Sequence, residues 1–180
     1  SDITYIDIEG DSDYLHLVTD AYSHKIIGWC LADSLSARHT LEALRMAIRQ
    51  TGKDNLNGLI HHSDRGIQYC CNAYVEELEL HHISISMTED YKPTDNAIAE
   101  RVNGIIKQEL IYRRKRFASH EEAYEAIERF ITFYNDSRPH MSIDYQTPSV
   151  AHQQVGTQQR HWKGYQERCQ QNQYNICQQI

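Results

Sequence analysis

The 180-residue sequence has no run of 18 or more apolar residues, so it offers no membrane-spanning helix. It lacks a basic-then-apolar leader, so no signal peptide is visible. It begins at Ser1 without Met, directly on a strand-like pattern, and reads as a piece of a longer protein. Cysteine is sparse: Cys30, Cys70, Cys71, Cys169 and Cys177 are odd in number and form no C-x₂-C pair. No zinc spacing is present, and a reducing, cytosolic setting is the simple reading. Net positive charge is missing as well, with 18 basic against 25 acidic residues. A protein that merely coats nucleic acid is thereby disfavoured. The charge is uneven, at net −10 over residues 1–100 and net +3 over 101–180. An acidic site for cations beside a basic flank for phosphates fits that division. No internal repeat is evident.

With about 40% hydrophobic residues, the chain can bury a core of its own. Near-alternating patterns predict strands over 2–8, 14–20 and 25–31, joined by tight turns as an antiparallel meander. Ser36 is a candidate cap for a helix over 37–50, whose stripe is Ala37, Leu41, Leu44 and Ile48. A strand over 58–62, a helix over 67–80 and a strand over 83–87 follow. Another helix starts near Asp95 and runs past 110, with Ile98, Val102 and Ile105 as its apolar stripe. Ser119 and Glu122 form a capping-box pattern before a last helix striped by Tyr124, Ile127, Ile131 and Tyr134. The expected fold class is α/β: a five-stranded mixed sheet flanked by helices, with the fourth strand returning beside the first. Residues 1–152 are the expected folded core. Residues 153–180, ten of them Gln, read as a low-complexity tail.

Three carboxylates stand out by position. Asp2 opens the first strand, Asp64 follows the fourth in HHSDRG, and Glu100 lies one turn inside the helix after Asp95. If the first and fourth strands adjoin, these groups converge at one end of the sheet. Clustered carboxylates repel one another unless cations lie between them, and all-oxygen donors suit Mg²⁺ or Mn²⁺. Glu100, Asn103 and Lys107 fall at i, i+3 and i+7, a metal ligand, an amide and a cation along one helical face. The RRKR run (Arg113, Arg114, Lys115, Arg116) is either a solvated loop or a set of phosphate contacts. Tyr134, Asn135, Arg138 and His140 read as residues that order the C-terminal turn. His61, His62, Cys70, Cys71, His81 and His82 do not form a zinc set, because adjacent pairs on a strand point to opposite faces.

The segments SDITYI (1–6), DAYSHKIIGW (20–29), LIHHSDRGIQY (59–69), TDNAIAERVNGIIKQEL (94–110) and FYNDSRPH (133–140) resemble, in order and spacing, a known family. It is the integrase catalytic core of bacterial insertion-sequence-3 transposases, itself similar to retroviral integrase cores. Thirty-five residues separate Asp64 from Glu100, the spacing of the family's Asp, Asp, 35, Glu group. The resemblance implies a ribonuclease H-like fold and a DDE transposase acting on transposon ends and target DNA. Asp2, Asp64 and Glu100 would be its catalytic metal ligands, holding two Mg²⁺ or Mn²⁺ ions. Asn103 and Lys107 would face DNA. Gly104 stands where retroviral cores carry a basic side chain, so DNA contact there falls to Lys107 or Arg101. Also implied are a homo-oligomer in the active complex, a bacterial, DNA-associated setting, and an N-terminal helix-turn-helix region outside this chain. The alternatives are a ribonuclease H-like nuclease that cuts without joining and an inactive remnant that only binds nucleic acid.

Overall fold

A computed structural model describes residues 1–52, 56–88, 96–114 and 116–157. Strands β1 (Asp2–Ile8), β2 (Asp11–Thr19) and β3 (Ile26–Ala32) form the antiparallel meander. Helix α1 (Ala37–Thr51) follows, capped by the Ser36 hydroxyl, which accepts from the Arg38 amide. Next come β4 (Ile60–Ser63), α2 (Ile67–Cys70), α3 (Asn72–Leu80) and β5 (Ser84–Met87). Helix α4 (Ala97–Ile106) widens into a π-helical turn, Lys107–Ile111. Helix α5 (His120–Asp136) is capped by Ser119 as the capping-box pattern predicts, and the short α6 (Pro148–Ala151) is the last described helix.

The five expected strands are present, but their hydrogen-bond ladders divide. β1, β2 and β3 form one sheet, and β4 pairs in parallel with β5 in another. β4 does lie beside β1, joined by a hydrogen bond of 2.7 Å from the Ser1 nitrogen to the His62 carbonyl rather than by a ladder. A cavity of about 920 Å³, lined by Val18, Ile27, Leu44, Ile48, Ile83 and Ile98 among others, lies between the two sheets.

Apolar burial explains the layers. β2 is central and buried on both faces. Leu15 and Leu17 point into a core with Val102, Ile106, Phe117, Ile127 and Tyr134, supplied largely by α4 and α5. On the other face Val18 meets Ala43 and Ala47 of α1. A third cluster joins Leu44 and Ile48 to Tyr69, Tyr74 and Leu78, tying α1 to α2 and α3.

Several expectations shift by a residue or two. The helix expected over 67–80 breaks at Cys71, whose ψ of 147° is extended. Asp95 lies outside the described residues, and the residue preceding α4 is Asn96. Ile98 is exposed. Ala99, Val102, Asn103, Ile105 and Ile106 form the buried face instead, so the helix is rotated relative to the predicted stripe. On α5, Ala123 takes the core position expected for Tyr124, which stacks on Trp29 at 5.0 Å between ring centres. The C-terminal turn is ordered as predicted. The Asn135 side chain accepts from the Ile26 amide and donates to its carbonyl, both at 3.0 Å, in the manner of a neighbouring strand.

Gly28 sets how closely α1 can approach β3. A Cβ there would lie 2.2 Å from the Ala43 carbonyl oxygen, which a rigid helix cannot relieve. Gly28→Ala is therefore expected to cost about 3 kcal/mol, read as a fall in urea midpoint. Gly104, helical with open space around it, gives the opposite sign. Gly104→Ala should stabilise the chain by roughly 0.5–1 kcal/mol.

His61 gives the fold an acid-side weakness. It is buried, its Nε2 lies 3.0 Å from the Tyr74 hydroxyl, and burial lowers its pKa to about 3. Below the ordinary histidine pKa of about 6.5 the unfolded chain takes a proton that the folded chain refuses. Stability carried by neutral His61 is complete above that pH and is lost as pH falls, by up to about 1.4 kcal/mol per unit. His61→Gln should flatten this part of the stability profile between pH 7 and 5, measured by urea unfolding in chelator-treated buffer.

Candidate active site

Asp2 stands at the start of β1, opposite Leu17 of β2. One carboxylate oxygen accepts from the Ile3 amide at 2.8 Å, and the other accepts from Asn103 Nδ2 at 2.6 Å. Burial raises its pKa above the usual carboxylate value. The nearby Asp64 charge pushes the same way, against the hydrogen bonds from Ile3 and Asn103. A desolvated carboxylate beside a second one is a place where a cation is electrostatically favoured.

Asp64 follows the last residue of β4 and is exposed. Its Oδ1 accepts from the Gly66 amide at 2.9 Å. A Cβ on Gly66 would sit 2.9 Å from that same oxygen, so glycine leaves the carboxylate room. Arg65 turns away and donates through Nε to the Thr88 carbonyl at 2.9 Å, fastening the loop to the end of β5.

Glu100 is exposed in the first turn of α4. Asn96, Glu100 and Asn103 fall at i, i+4 and i+7, so they share a face. Asn96 Nδ2 donates to the Ser1 carbonyl at 3.1 Å, and Asn103 holds Asp2. Glu100 thus projects from the stretch of helix docked between these two anchors. Its carboxylate, Asp2 and Asp64 do not all come within 4.8 Å of one another. A pair of ions about 3.5–4 Å apart needs donors spread over a wider span than one ion does. The donors are all hard oxygens, and the residues present suit Mg²⁺ or Mn²⁺.

The flanking residues fall into two groups. Asn103 is not on a solvated row: it is 5% exposed, with its amide committed to Asp2, because α4 is rotated from the predicted stripe. Lys107 is half-buried where the π-helical turn begins, and Arg101 is exposed. The basic run lies elsewhere. Phe117 bridges to Ile8 at the far end of β1, and Arg116 Nε pairs with Asp7 at 3.0 Å. Five residues of strand put Asp7 about 17 Å from Asp2. Arg114 pairs with Glu122 at 2.9 Å and lies over the Phe117 ring, while Arg113 is exposed. Lys115 lies outside the described residues.

Sequence reasoning missed Asn96 and the inward role of Asn103. The available signal was their spacing of −4 and +3 around Glu100, polar positions on a helix whose other residues are largely apolar.

Two models described as integrase core domain match, one over residues 1–93 and the other over residues 81–148. A putative transposase for insertion sequence element IS986/IS6110 from Mycobacterium tuberculosis is 36% identical over 141 residues, covering 77% of this chain and 51% of its own length. The transposase for IS904 from Lactococcus lactis is 35% identical over 150 residues, covering 82% and 57%. Transposase InsF for IS3A from Escherichia coli is 32% identical over 140 residues, covering 77% and 48%. The chain thus spans about half the length of these relatives. Among solved structures, the HTLV-2 integrase catalytic core domain in complex with magnesium superposes with a TM-score of 0.65 at 20% identity, covering 84% of this chain and 92% of that one. A chain of the simian T-cell lymphotropic virus intasome, in complex with the PP2A regulatory subunit B56 gamma, gives 0.69 at 17% identity, covering 91% and 56%. The fold is therefore ribonuclease H-like, and the chain belongs to the integrase core domain family.

Proposed function

We propose that residues 1–152 are the catalytic core of a DDE transposase, cutting and joining transposon-end DNA in the bacterial cytoplasm. The observation that carries this reading is the docking of α4 on the start of β1. Asn96 and Asn103 straddle Glu100 on the helix docked at Ser1 and Asp2, and the Asp2 carboxylate feels the charge of Asp64. Asp2, Asp64 and Glu100 would hold two Mg²⁺ or Mn²⁺ ions. Bound there, the ions supply Lewis-acid activation of a water or DNA 3′-hydroxyl and neutralise charge on the leaving oxygen.

The chain's own work is positioning. Asn103 and the Ile3 amide each engage one Asp2 oxygen, so that carboxylate is fixed in direction before DNA arrives. The Gly66 amide does the same for Asp64. Lys107 lies seven residues beyond Glu100, about 10 Å along the helix, a distance suited to a phosphate beside the scissile one. Arg101 and Arg113 extend the phosphate contacts. Arg114 and Arg116 join them only by giving up Glu122 and Asp7, exposed pairs that cost little to break. Joining two transposon ends to a target calls for at least two copies of the chain.

The deciding experiment incubates a labelled transposon-end duplex with the protein in Mg²⁺ and in Mn²⁺. Both cleavage and strand-joined products are expected. Asp64→Asn and Glu100→Gln should each lower both products at least 1000-fold, roughly 4 kcal/mol of transition-state stabilisation, with the thermal midpoint essentially retained. Wild-type product levels in either variant would remove that residue from the site. Cleavage without joining would instead favour a nuclease.

Asn103→Ala tests positioning. It removes the donor to Asp2 without touching a metal ligand. Activity should fall about 10- to 100-fold, as for other groups that orient ligands, with a stability loss of about 1–2 kcal/mol. Raising Mn²⁺ should recover part of that activity, which a merely misfolded variant would not show.

A further inference from the structure

Cys30 on β3 and His39 and Glu42 on α1 place their donor atoms within 4.8 Å of one another. They lie on the face of the meander opposite the carboxylate site. Asp2 shares the face of Leu17, whereas Cys30 is the register partner of His16, one residue along β2 and therefore on the other face. Glu42 Oε2 is the hub, 3.4 Å from Cys30 Sγ and 3.6 Å from His39 Nδ1. Tetrahedral zinc, with bonds of about 2.0–2.3 Å, sets its ligand atoms about 3.3–3.8 Å apart. The other Glu42 oxygen is occupied by Arg38 Nε at 3.1 Å, which leaves Oε2 for a second partner.

We propose that Cys30, His39 and Glu42 form a second metal site, of the sulfur, nitrogen and oxygen kind that takes Zn²⁺, which clamps α1 to β3. A thiolate and a carboxylate together balance the ion's charge. A second imidazole lies near the first. His16 is fully buried, and its ring centre is 6.1 Å from that of His39. Its Nδ1 lies 2.8 Å from Thr40 Oγ1. Metal-ligating histidines typically have their second nitrogen held by oxygen in this way. Glu42, with its side chain 44% exposed, opens the site to solvent, so an ion can reach it in the folded chain.

In the metal-free chain the Cys30 thiol donates to Glu42 Oε2. Binding breaks the S–H bond, forms a sulfur–metal bond and releases one proton to solvent. Affinity therefore rises with pH.

The test is titration of the full chain with Co²⁺ under reducing conditions, read by the thiolate-to-cobalt charge-transfer band. Expected are one sulfur-bound Co²⁺ per chain, displaced by Zn²⁺ but not by Mg²⁺, and about one proton released. Cys30→Ser should abolish the band, and His39→Ala and Glu42→Gln should weaken binding at least tenfold. The band should persist in an Asp64→Asn, Glu100→Gln double variant, because the oxygen-only site has no sulfur. Failure of the proposed catalytic function would leave this result untouched. No band at millimolar Co²⁺, or an undiminished band in Cys30→Ser, overturns the proposal. If Cys30→Ser loses its circular-dichroism melt, the exposed Glu42→Gln variant decides: unchanged affinity there overturns it too.

Discussion

The hydrogen bond from Asn103 to Asp2 is the contact on which the carboxylate site depends. It crosses 101 residues of sequence and joins the first residue of the meander to a buried position of α4. Its charged acceptor makes it stronger than a neutral amide bond, and its burial makes the loss of either partner costly. The apolar face of α4 fixes the helix against the sheet through Val102, Ile105 and Ile106. With that face committed, Asn103 has one direction to point, and Asn96 adds a second anchor on Ser1. Glu100 gains its position from this docking.

The far end of the same helix is secured by different chemistry. Arg138 grips Glu109 through two nitrogens, at 2.6 and 2.9 Å, and this half-buried pair ties the π-helical turn to the end of α5. Asn135 closes on the backbone of Ile26, and the Tyr134 hydroxyl donates to the His24 carbonyl. The FYNDSRPH segment therefore buttresses α4 and β3 together. Its effect on the site is indirect, through the angle at which α4 leaves the sheet. The π-helical turn inserts one residue of extra width just after Ile106, at the point where Lys107 must turn from the core toward solvent.

Much of this was legible in the sequence because local rules and tertiary packing agree. Alternation placed β1, β2 and β3, and Ser36 and Ser119 marked two helix starts. One cause of illegibility is a polar residue recruited inward by a distant partner. Periodicity placed Ile98 in the core and Asn103 in solvent, whereas the structure does the reverse, because Asp2 supplies a half-buried acceptor that no local window contains. The division of the strands into two ladders was equally hidden, since strand propensity says nothing about how many bonds two neighbours exchange. The RRKR run read as one basic patch. Asp7 and Glu122 engage two of its members, at the end of β1 remote from Asp2.

The two faces of the meander carry different donor chemistry, and strand pleating keeps them apart. Asp2 and Leu17 project toward α4 and α5, while His16 and Cys30, one step along their strands, project toward α1. The first face offers carboxylates at an open end of the sheet, where hard, water-retaining cations and phosphate can exchange. The second offers a thiol, two imidazoles and one carboxylate around a helix that lies close because Gly28 permits it. Sequence motifs for soft-metal sites rely on ligands a few residues apart, and the nearest pair here, His39 and Glu42, is an ordinary i, i+3 spacing. Cys30 and His16 reach them only through antiparallel register. An ion preferring sulfur and nitrogen would thereby be drawn away from the oxygen site, leaving Asp2, Asp64 and Glu100 to the harder ion that the proposed phosphoryl transfer calls for.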